Sequence, residues 1–249
     1  MKTFTIGYAI HNKGYMIDKI IDGLVHSIPT EHDVKYMFIF DGCTDNSIAV
    51  FERERGKLKN TGYMMTDNIF QLKTNNILIN DFDTDFLIIF QDDMVLTDSH
   101  FLENILNIYK EYGDRLGLLG CRDGFDEAFS NMSGSRFSAS CLRKEVLASG
   151  EYREKMMVNI GPIVFTRKLV ELMGCFDEIY TRGTYEEMEY SLKCTLSGLV
   201  TVVMGVDLMH NKFVHKSGGV AHTSQNILND MYRINGKIFK DRWFEIAKI

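Results

Sequence analysis

Apolar runs alternate with amphipathic segments through the first 120 residues of the chain. Four runs, at Phe4–Ile10, Lys35–Phe40, Asp85–Phe90 and Leu116–Gly120, contain few polar residues in their interiors. Strands of this kind are buried on both faces, as in a parallel sheet flanked by helices. The pattern therefore predicts an α/β, Rossmann-like fold: a mostly parallel central sheet with helices on both faces.

The segments between these runs complete the prediction. Apolar residues recur at helical spacing within 14–27, and helices are also predicted at 48–57, 68–80, 99–112, 167–173, 186–197 and from residue 226 onward. Further strands are predicted at 61–66, 163–165 and 199–204, a surface loop at 121–140, and helix or strand at 141–158. Neither a repeat nor a linker interrupts the pattern, so we expect one domain over residues 1–249.

Composition excludes several classes of protein. Lys and Arg total 28 against 34 Asp and Glu, and a net charge of -6 disfavours a general nucleic-acid binder. The five cysteines form no CxxC pair, which indicates neither a zinc site nor a disulfide framework and favours a reducing compartment. The apolar runs are too short to span a membrane, and the first residues do not resemble a signal peptide. We therefore expect a cytoplasmic protein.

Polar clusters follow three of the predicted strands. They lie at residues 9–12, 41–47 and 91–93, each at the carboxyl end of its strand. In open parallel sheets, ligands bind beyond these ends. The common placement indicates a ligand-binding crevice at this edge of the sheet.

Several acidic residues and histidines in this sequence have both a functional and a structural interpretation. Asp92 and Asp93 suit a divalent cation with oxygen ligands, but an acidic loop can also cap the next helix. The acids at 186, 187 and 189 could stabilise a helix N-terminus, or one could act as a general base. His210 and His215 could be ordinary structural histidines, or ligands if a carboxylate metal site lies nearby.

Together these clusters resemble the GT-A fold glycosyltransferases, and within them family 2, from about Phe4 to about His215. The matching segments are TIGYAIHN, MFIFDGCTDNS, FLIIFQDDM and MGCFDEIYTRGTYEEMEYSLKCTLSG, in the family's order. The first two look like the endings of the family's first two strands, with Cys43 where Ser is usual. The third looks like its metal-binding motif. The last looks like its Gly-Gly-Phe-Asp-Glu and Glu-Asp-x-Asp-x-x-x-Arg segments, with Glu187 at the key Asp.

Three further departures from the family pattern bear on the roles of the site residues. Gln91 replaces the first acid of the metal motif, which leaves Asp93 as the direct ligand. Glu187 is one methylene longer than the Asp it replaces. Asn75 and Asn76 stand where Arg-Asn is frequent, so Lys73 becomes the candidate basic contact to phosphate.

The resemblance implies an inverting transfer of a sugar from a nucleotide-diphosphate donor to a hydroxyl of a glycan or lipid-linked acceptor, in polysaccharide biosynthesis. Residues 1–120 would form the nucleotide-binding half, 121–225 the acceptor and catalytic half, and 226–249 a helical tail. The implied roles are Glu187 as catalytic base; Ala9, His11, Asn12, Asp41, Lys73 and Asp92 at the nucleotide sugar; and Asp93 with His210 at the metal, with His215 as the alternate ligand. Imidazole ligation makes Mn²⁺ the expected cofactor rather than Mg²⁺.

Other interpretations stay open at the level of sequence. A retaining or nucleotidyl-transferring relative could share the fold, because fold does not determine chemistry. A catalytically degenerate carbohydrate-binding domain is compatible with the weakened metal motif, and a homo-oligomer is compatible with any of these. The tail interleaves Lys and Arg with Ile238, Phe239, Trp243 and Phe244, which fits either peripheral membrane contact or packing on the core.

Overall fold

The computed structural model describes residues 2–121, 124–125, 132–133, 136–137, 147–158, 161–180, 182–210 and 225–246. The expected loop at 121–140 and the ambiguous segment 141–158 are therefore only partly within the described residues. His215 and the residues around it lie outside them.

An eight-stranded sheet forms the centre of the molecule, in the order β10-β13-β6-β12-β4-β1-β2-β3. Its strands are β1 (Thr3–Ile10), β2 (Asp33–Asp41), β3 (Thr61–Thr66), β4 (Phe86–Gln91), β6 (Leu116–Gly120), β10 (Tyr152–Glu154), β12 (Ile163–Thr166) and β13 (Val200–Met204). All run parallel except β12, which opposes β4 and β6, and β10, which opposes β13. The mostly parallel sheet is as predicted.

Three small two-stranded sheets accompany the central one. They pair β5 (Met94–Leu96) with β14 (Leu208–His210), β7 (Gly124–Phe125) with β11 (Met157–Val158), and β8 (Met132–Ser133) with β9 (Arg136–Phe137). Strand β5 was not expected from the sequence, because three residues are too few for a periodic signal. Its pairing with β14 brings residue 210 beside residue 94.

Helices cover both faces of the central sheet. They are α1 (Ile17–Ser27), α2 (Ser47–Glu54), α3 (Phe70–Asp81), α4 (Phe101–Tyr112), α5 (Arg167–Met173), α6 (Glu186–Leu196) and α7 (Gln225–Trp243), with single 3-10 turns at Arg55–Lys57 and Gly113–Arg115. Buried residues of α1, α2 and α4 share one apolar cluster, and those of α3, α5, α6 and α7 share the other. The prediction of helices on both faces is confirmed.

The central strands contribute side chains to both clusters, which explains their uninterrupted apolar sequences. Phe86, Ile88 and Phe90 of β4 enter the first cluster, whereas Leu87 and Ile89 enter the second. Each of these side chains is at most 2% exposed. Full burial of a side chain of this size contributes about 1.5–3 kcal/mol, so the strands that carry the polar clusters lie in the most stable part of the molecule.

The tail expected at the C-terminus is helix α7, and its apolar side packs on the core. Phe239 is fully buried in the second cluster, and Ile238 and Trp243 pack against it. Of the two alternatives for the tail, these three residues therefore show packing on the core. Among the described residues, no helix has the length and apolar character that crossing a membrane requires.

Candidate active site

Three neighbouring strands end at one edge of the sheet, and each carries a polar cluster there. β1 lies between β4 and β2, so Ala9 is the Cα partner of both Gln91 and Ile39. Residues 11–13, 41 and 92–93 therefore follow adjacent strand ends. The polar residues that the sequence predicts around a ligand-binding crevice thus lie at one edge of the sheet.

His11 connects the three strand ends by hydrogen bonds. Its backbone N–H donates to Asp92 Oδ2 at 3.1 Å, and its ring Nδ1 donates to the carbonyl oxygen of Asp41 at 2.5 Å. The Asn12 amide nitrogen lies 3.3 Å from His11 Nε2, which suits the tautomer protonated on Nδ1. His11 is thus oriented by both of its ring nitrogens.

Asn12 holds the loop that follows β2. Its Oδ1 accepts from the N–H groups of Thr44 and Asp45 at 2.8 and 3.2 Å. Its φ of 53° lies in the left-handed region, which Asn tolerates better than most residues. This explains why an Asn suits the position on structural grounds, independently of any ligand.

Asp41 is buried and accepts three hydrogen bonds from the segment that leads into α3. Its Oδ1 receives Thr66 Oγ1 at 2.8 Å and the Ile69 N–H at 2.7 Å, and its Oδ2 receives the Phe70 N–H at 2.9 Å. The carboxylate therefore holds the start of α3 against the end of β2. Gly42 follows with φ of 57°, and a Cβ there would lie 2.5 Å from Asn68 Cβ, so this turn requires glycine.

Asp92 pairs with a lysine that belongs to none of the motifs recognised in the sequence. Lys13 Nζ lies 3.5 Å from Asp92 Oδ1, and the lysine side chain is only 1% exposed. Removal from water raises the pKa of Asp92 to about 6; the Lys13 ammonium opposes the rise and the neighbouring Asp93 adds to it. In the sequence, this pair could have been suspected because Lys13 is a cation that directly follows the polar residues His11 and Asn12.

Asp93 lies at the turn between β4 and β5, and the backbone brings His210 close to it. In the pairing of β14 with β5, His210 is the Cα partner of Met94, the residue next to Asp93. A carboxylate with an imidazole is a donor set that suits Mn²⁺, so the residues fit the expected metal. The described residues, which do not include the His210 side chain, contain no group of three His, Cys, Asp or Glu that could hold a metal ion.

Tyr15 is a further residue near these acids. Partial burial raises the pKa of its phenol, and the charges of Asp92, Asp93 and Asp45 add to the rise. The ring is 38% exposed. A partly exposed tyrosine beside carboxylates is suited to contact a ligand, but nothing in its sequence position had indicated it.

Glu186 and Glu187 form a buried carboxyl pair at the start of α6. They are 2% and 4% exposed. Burial raises the pKa of Glu186 well above its usual value, and both the charge of Glu187 and a hydrogen bond with that side chain raise it further. Of the two carboxyl groups, Glu186 is thus the one whose protonated form is favoured by its surroundings. The sequence indicated Glu187 as the base, but it gave no sign that the Glu186 side chain would be hydrogen-bonded to it.

Glu189 has a different environment from its two acidic neighbours. Lys193 Nζ lies 2.6 Å from its Oε1 and Arg242 of α7 lies 3.1 Å from the same oxygen, while the Tyr180 hydroxyl bonds its other oxygen. Arg242 also contacts Asp177 at 2.8 Å. Glu189 is thus neutralised internally, which favours a structural role for this acid.

A ring contact joins the turn before α6 to the nucleotide-binding half expected from the sequence. The Arg182 guanidinium carbon lies 4.7 Å from the centre of the Phe70 ring. Phe70 is the residue whose N–H bonds Asp41. The segment that leads to Glu187 therefore touches the segment that Asp41 holds.

Two other candidates have less decisive surroundings. Lys73 is exposed on α3, the helix that begins beside Asp41. Asn76 stands at the Asn of the family's Arg-Asn pair. It is buried and forms two hydrogen bonds of 3.0 Å with the backbone of Phe176. Asn76 therefore has a structural role in joining α3 to the segment before α6.

Comparisons with known proteins bear on the fold. No protein-family model matches the sequence, and no curated protein matches it. Among solved structures, the mannosyltransferase PcManGT from Pyrobaculum calidifontis, in complex with GDP-Man and Mn²⁺, has a TM-score of 0.58 and 12% identity over 83% of this chain. The fold is that of the GT-A glycosyltransferases.

Two further structures agree with this GT-A fold. S. aureus TarS 1–349 in complex with UDP-GlcNAc gives a TM-score of 0.64 and 12% identity, covering 99% of this chain and 68% of that one. GalNAc-T7 with UDP, GalNAc and Mn²⁺ gives 0.63 and 12% identity, covering 84% of this chain. This chain spans 55% of PcManGT and 44% of GalNAc-T7.

Proposed function

We propose that this protein is a glycosyltransferase that moves a sugar from a nucleotide-diphosphate donor to a hydroxyl of a glycan or lipid-linked acceptor, with inversion, and that it belongs to family 2. The observation that carries the proposal is the clustering of His11, Asp41 and Asp92 at adjacent strand ends of a GT-A fold. The solved structures with this fold contain GDP-Man, UDP-GlcNAc or UDP. They support a nucleotide sugar as the donor class.

The nucleotide would bind at the edge formed by β4, β1 and β2. Ala9, His11 and Asn12 line the end of β1, and Asp41 holds the start of α3 beside them. Asp92 and Lys73 would approach the ribose and the phosphates. Lys13 neutralises Asp92, which lowers the repulsion between this edge and an anionic donor.

A divalent cation, Mn²⁺ rather than Mg²⁺, would be held by Asp93 and His210, with His215 as the alternate ligand. When bound, it would supply positive charge that stabilises the departing nucleotide diphosphate. We expect His210→Ala to lose most of the activity and His215→Ala to act more mildly. Manganese titration of both variants tests the order, and retention of the metal by His210→Ala together with its loss from His215→Ala would reverse the two roles.

Glu187 would remove the proton from the acceptor hydroxyl. The role requires an ionised carboxylate within reach of that hydroxyl. The raised pKa of Glu186 favours the arrangement in which the negative charge of the pair lies on Glu187. Attack of the hydroxyl oxygen on the anomeric carbon, from the face opposite the leaving nucleotide diphosphate, would invert the configuration at that carbon.

A ligand screen followed by one substitution tests the proposal. UDP- and GDP-sugars are screened for thermal stabilisation with and without Mn²⁺, and hydrolysis of the stabilising donor is measured in the wild type and in Glu187→Gln. General-base catalysis contributes about 10²–10⁴-fold, so the variant should lose at least 100-fold in kcat while still binding the donor. Donor binding with equal hydrolysis in both proteins would refute the base, and no stabilisation by any nucleotide sugar would refute the donor class. Retention at the anomeric carbon would indicate a retaining relative.

A further inference from the structure

Helix α6 is preceded by a turn in an unusual backbone conformation. Four successive residues have positive φ: Arg182 at 63°, Gly183 at 114°, Thr184 at 80° and Tyr185 at 71°. Three of them are not glycine, and L residues rarely adopt this conformation because it is strained. A turn of this kind persists only where surrounding contacts hold it.

A buried asparagine of the C-terminal helix supplies the polar contacts. Asn235 of α7 is fully buried. Its Nδ2 donates to the carbonyl oxygen of Gly183 at 2.8 Å and lies 2.9 Å from Thr184 Oγ1. One amide group therefore holds the two central residues of the turn.

Aromatic packing from the same helix supports the last residue of the turn. The Tyr185 ring lies 5.6 Å from that of Phe239 and 6.4 Å from that of Tyr232, measured between centroids. Tyr185 directly precedes the Glu186–Glu187 pair. Helix α7 thus contacts Gly183, Thr184 and Tyr185, the three residues directly before α6 begins.

We propose that Asn235 is a positioning residue, which fixes the 182–185 turn and thereby places the Glu187 carboxylate for proton removal. This inference rests on the proposed function, because it assigns Asn235 a role in the same reaction. A catalytic group displaced by about 1 Å can cost 100-fold in rate even when the substitution is remote from the chemistry. Asn235 acts through its contacts to Gly183 and Thr184 of the turn.

The test compares Asn235→Ala with Arg233→Ala, an exposed position on the same helix. Amide hydrogen exchange of residues 182–190 is measured first, since it requires no activity. Hydrolysis of the nucleotide sugar that stabilises the wild type is measured next. For Asn235→Ala we expect faster exchange in this segment and a kcat lower by about 100-fold, with the KM for the sugar donor unchanged. Arg233→Ala should match the wild type in both.

A second variant covers the case in which Asn235→Ala fails to fold. Thr184→Val removes only the Oγ1 acceptor from the half-buried turn, and kcat should fall by about 10-fold at unchanged KM, because one of the contacts to the amide is lost. Unchanged exchange and kcat in the variant that folds would overturn the positioning role. A rise in KM with kcat maintained would also overturn it.

The two measurements separate this inference from the proposed function. Faster exchange at 182–190 in a protein that hydrolyses no nucleotide sugar would contradict the glycosyltransferase assignment while the role of Asn235 in holding the turn stands. An active wild type with a fully active Asn235→Ala would contradict only the positioning role.

Discussion

Carboxyl groups of similar chemistry acquire different roles at this site because their surroundings differ. Asp41 is occupied by three donors from its own chain, and Asp92 is paired with the buried ammonium of Lys13. Glu189 is held between two cations, whereas Glu186 shares a proton with Glu187. The proposed function assigns cation binding to Asp93 and proton removal to Glu187.

The two acids after β4 should respond differently to substitution. Asp93→Ala should abolish the Mn²⁺-dependent binding of a nucleoside diphosphate, because it removes the carboxylate next to the β5–β14 pair. Asp92→Ala should weaken binding less, since Asp92 is paired with Lys13. Calorimetric titration of UDP or GDP with and without Mn²⁺ measures both effects. An unchanged metal-dependent affinity in Asp93→Ala would show that the ligand is assigned wrongly.

The Glu186 carboxyl should make stability depend on pH. Its pKa in the folded protein lies well above the ordinary glutamate pKa of 4.5, so the folded state keeps a proton that the unfolded state releases. The free energy of unfolding should therefore fall as pH rises from 4.5 toward the folded pKa. In Glu186→Gln this decrease should be smaller. Urea denaturation at pH 5 and pH 8 gives the free energy of unfolding at each pH. An equal decrease between the two pH values in the wild type and in Glu186→Gln would contradict the raised pKa.

Among the elements, α7 joins the C-terminal part of the chain to α6 and the segment before it. Phe239 fills the second core cluster, Asn235 contacts the turn before α6, and Arg242 bridges Asp177 and Glu189. The tail expected from the sequence is therefore packed against the segment that contains Glu186 and Glu187. The sequence did not distinguish membrane contact from core packing for the aromatic residues of the tail, because the surface they pack against is formed only by the folded chain.

Loss of Arg242 should cost more stability than loss of an exposed cation on the same helix. Arg242→Ala leaves the buried Glu189 with Lys193 as its remaining cation. Since Arg242 itself is about one-third exposed, we expect a loss of about 1–2 kcal/mol, below the 3–5 kcal/mol of a fully buried pair. Lys237→Ala removes an exposed pair with Asp241 and should cost less than about 0.5 kcal/mol. Equal losses in urea denaturation would show that the Arg242 contacts contribute nothing beyond a surface pair.

At the scale of the whole molecule, one continuous sheet joins the two halves that the sequence suggested. β12, from the second half, lies between β4 and β6 of the first and pairs with both. β13 then continues the sheet beside β6. Neither half has a complete sheet without the other, and a single folding unit over residues 1–249 stays a prediction.

Calorimetry should therefore show one unfolding transition. The calorimetric and van't Hoff enthalpies should agree, because unfolding of either half exposes the strands of the other. The described residues span one central sheet, and α7 packs on its second cluster. Two resolved transitions in differential scanning calorimetry would contradict a single domain over residues 1–249.

The sequence by itself determined the α/β class, the helices on both faces and the strand ends at which the polar clusters lie. Uninterrupted apolar strands and helical periodicity report local burial, and this information is present in each segment alone. The helix predicted at 167–173 is α5, and Thr166 caps it, with Oγ1 accepting from the Leu169 N–H at 2.9 Å. The placement of residues at 11–12, 41 and 92–93 on one edge followed from the parallel order of the strands.

Only the tertiary structure decided which of these polar side chains neutralise one another. Three contacts show this: Lys13 pairs with Asp92, Glu186 with Glu187, and Asn235 with the 183–184 turn. No periodic pattern in the sequence indicates any of these contacts. The reversed direction of β12 depended on its neighbours β4 and β6 in the same way. Burial and charge pairing are set by the distances between segments, and those distances exist only once the chain has packed.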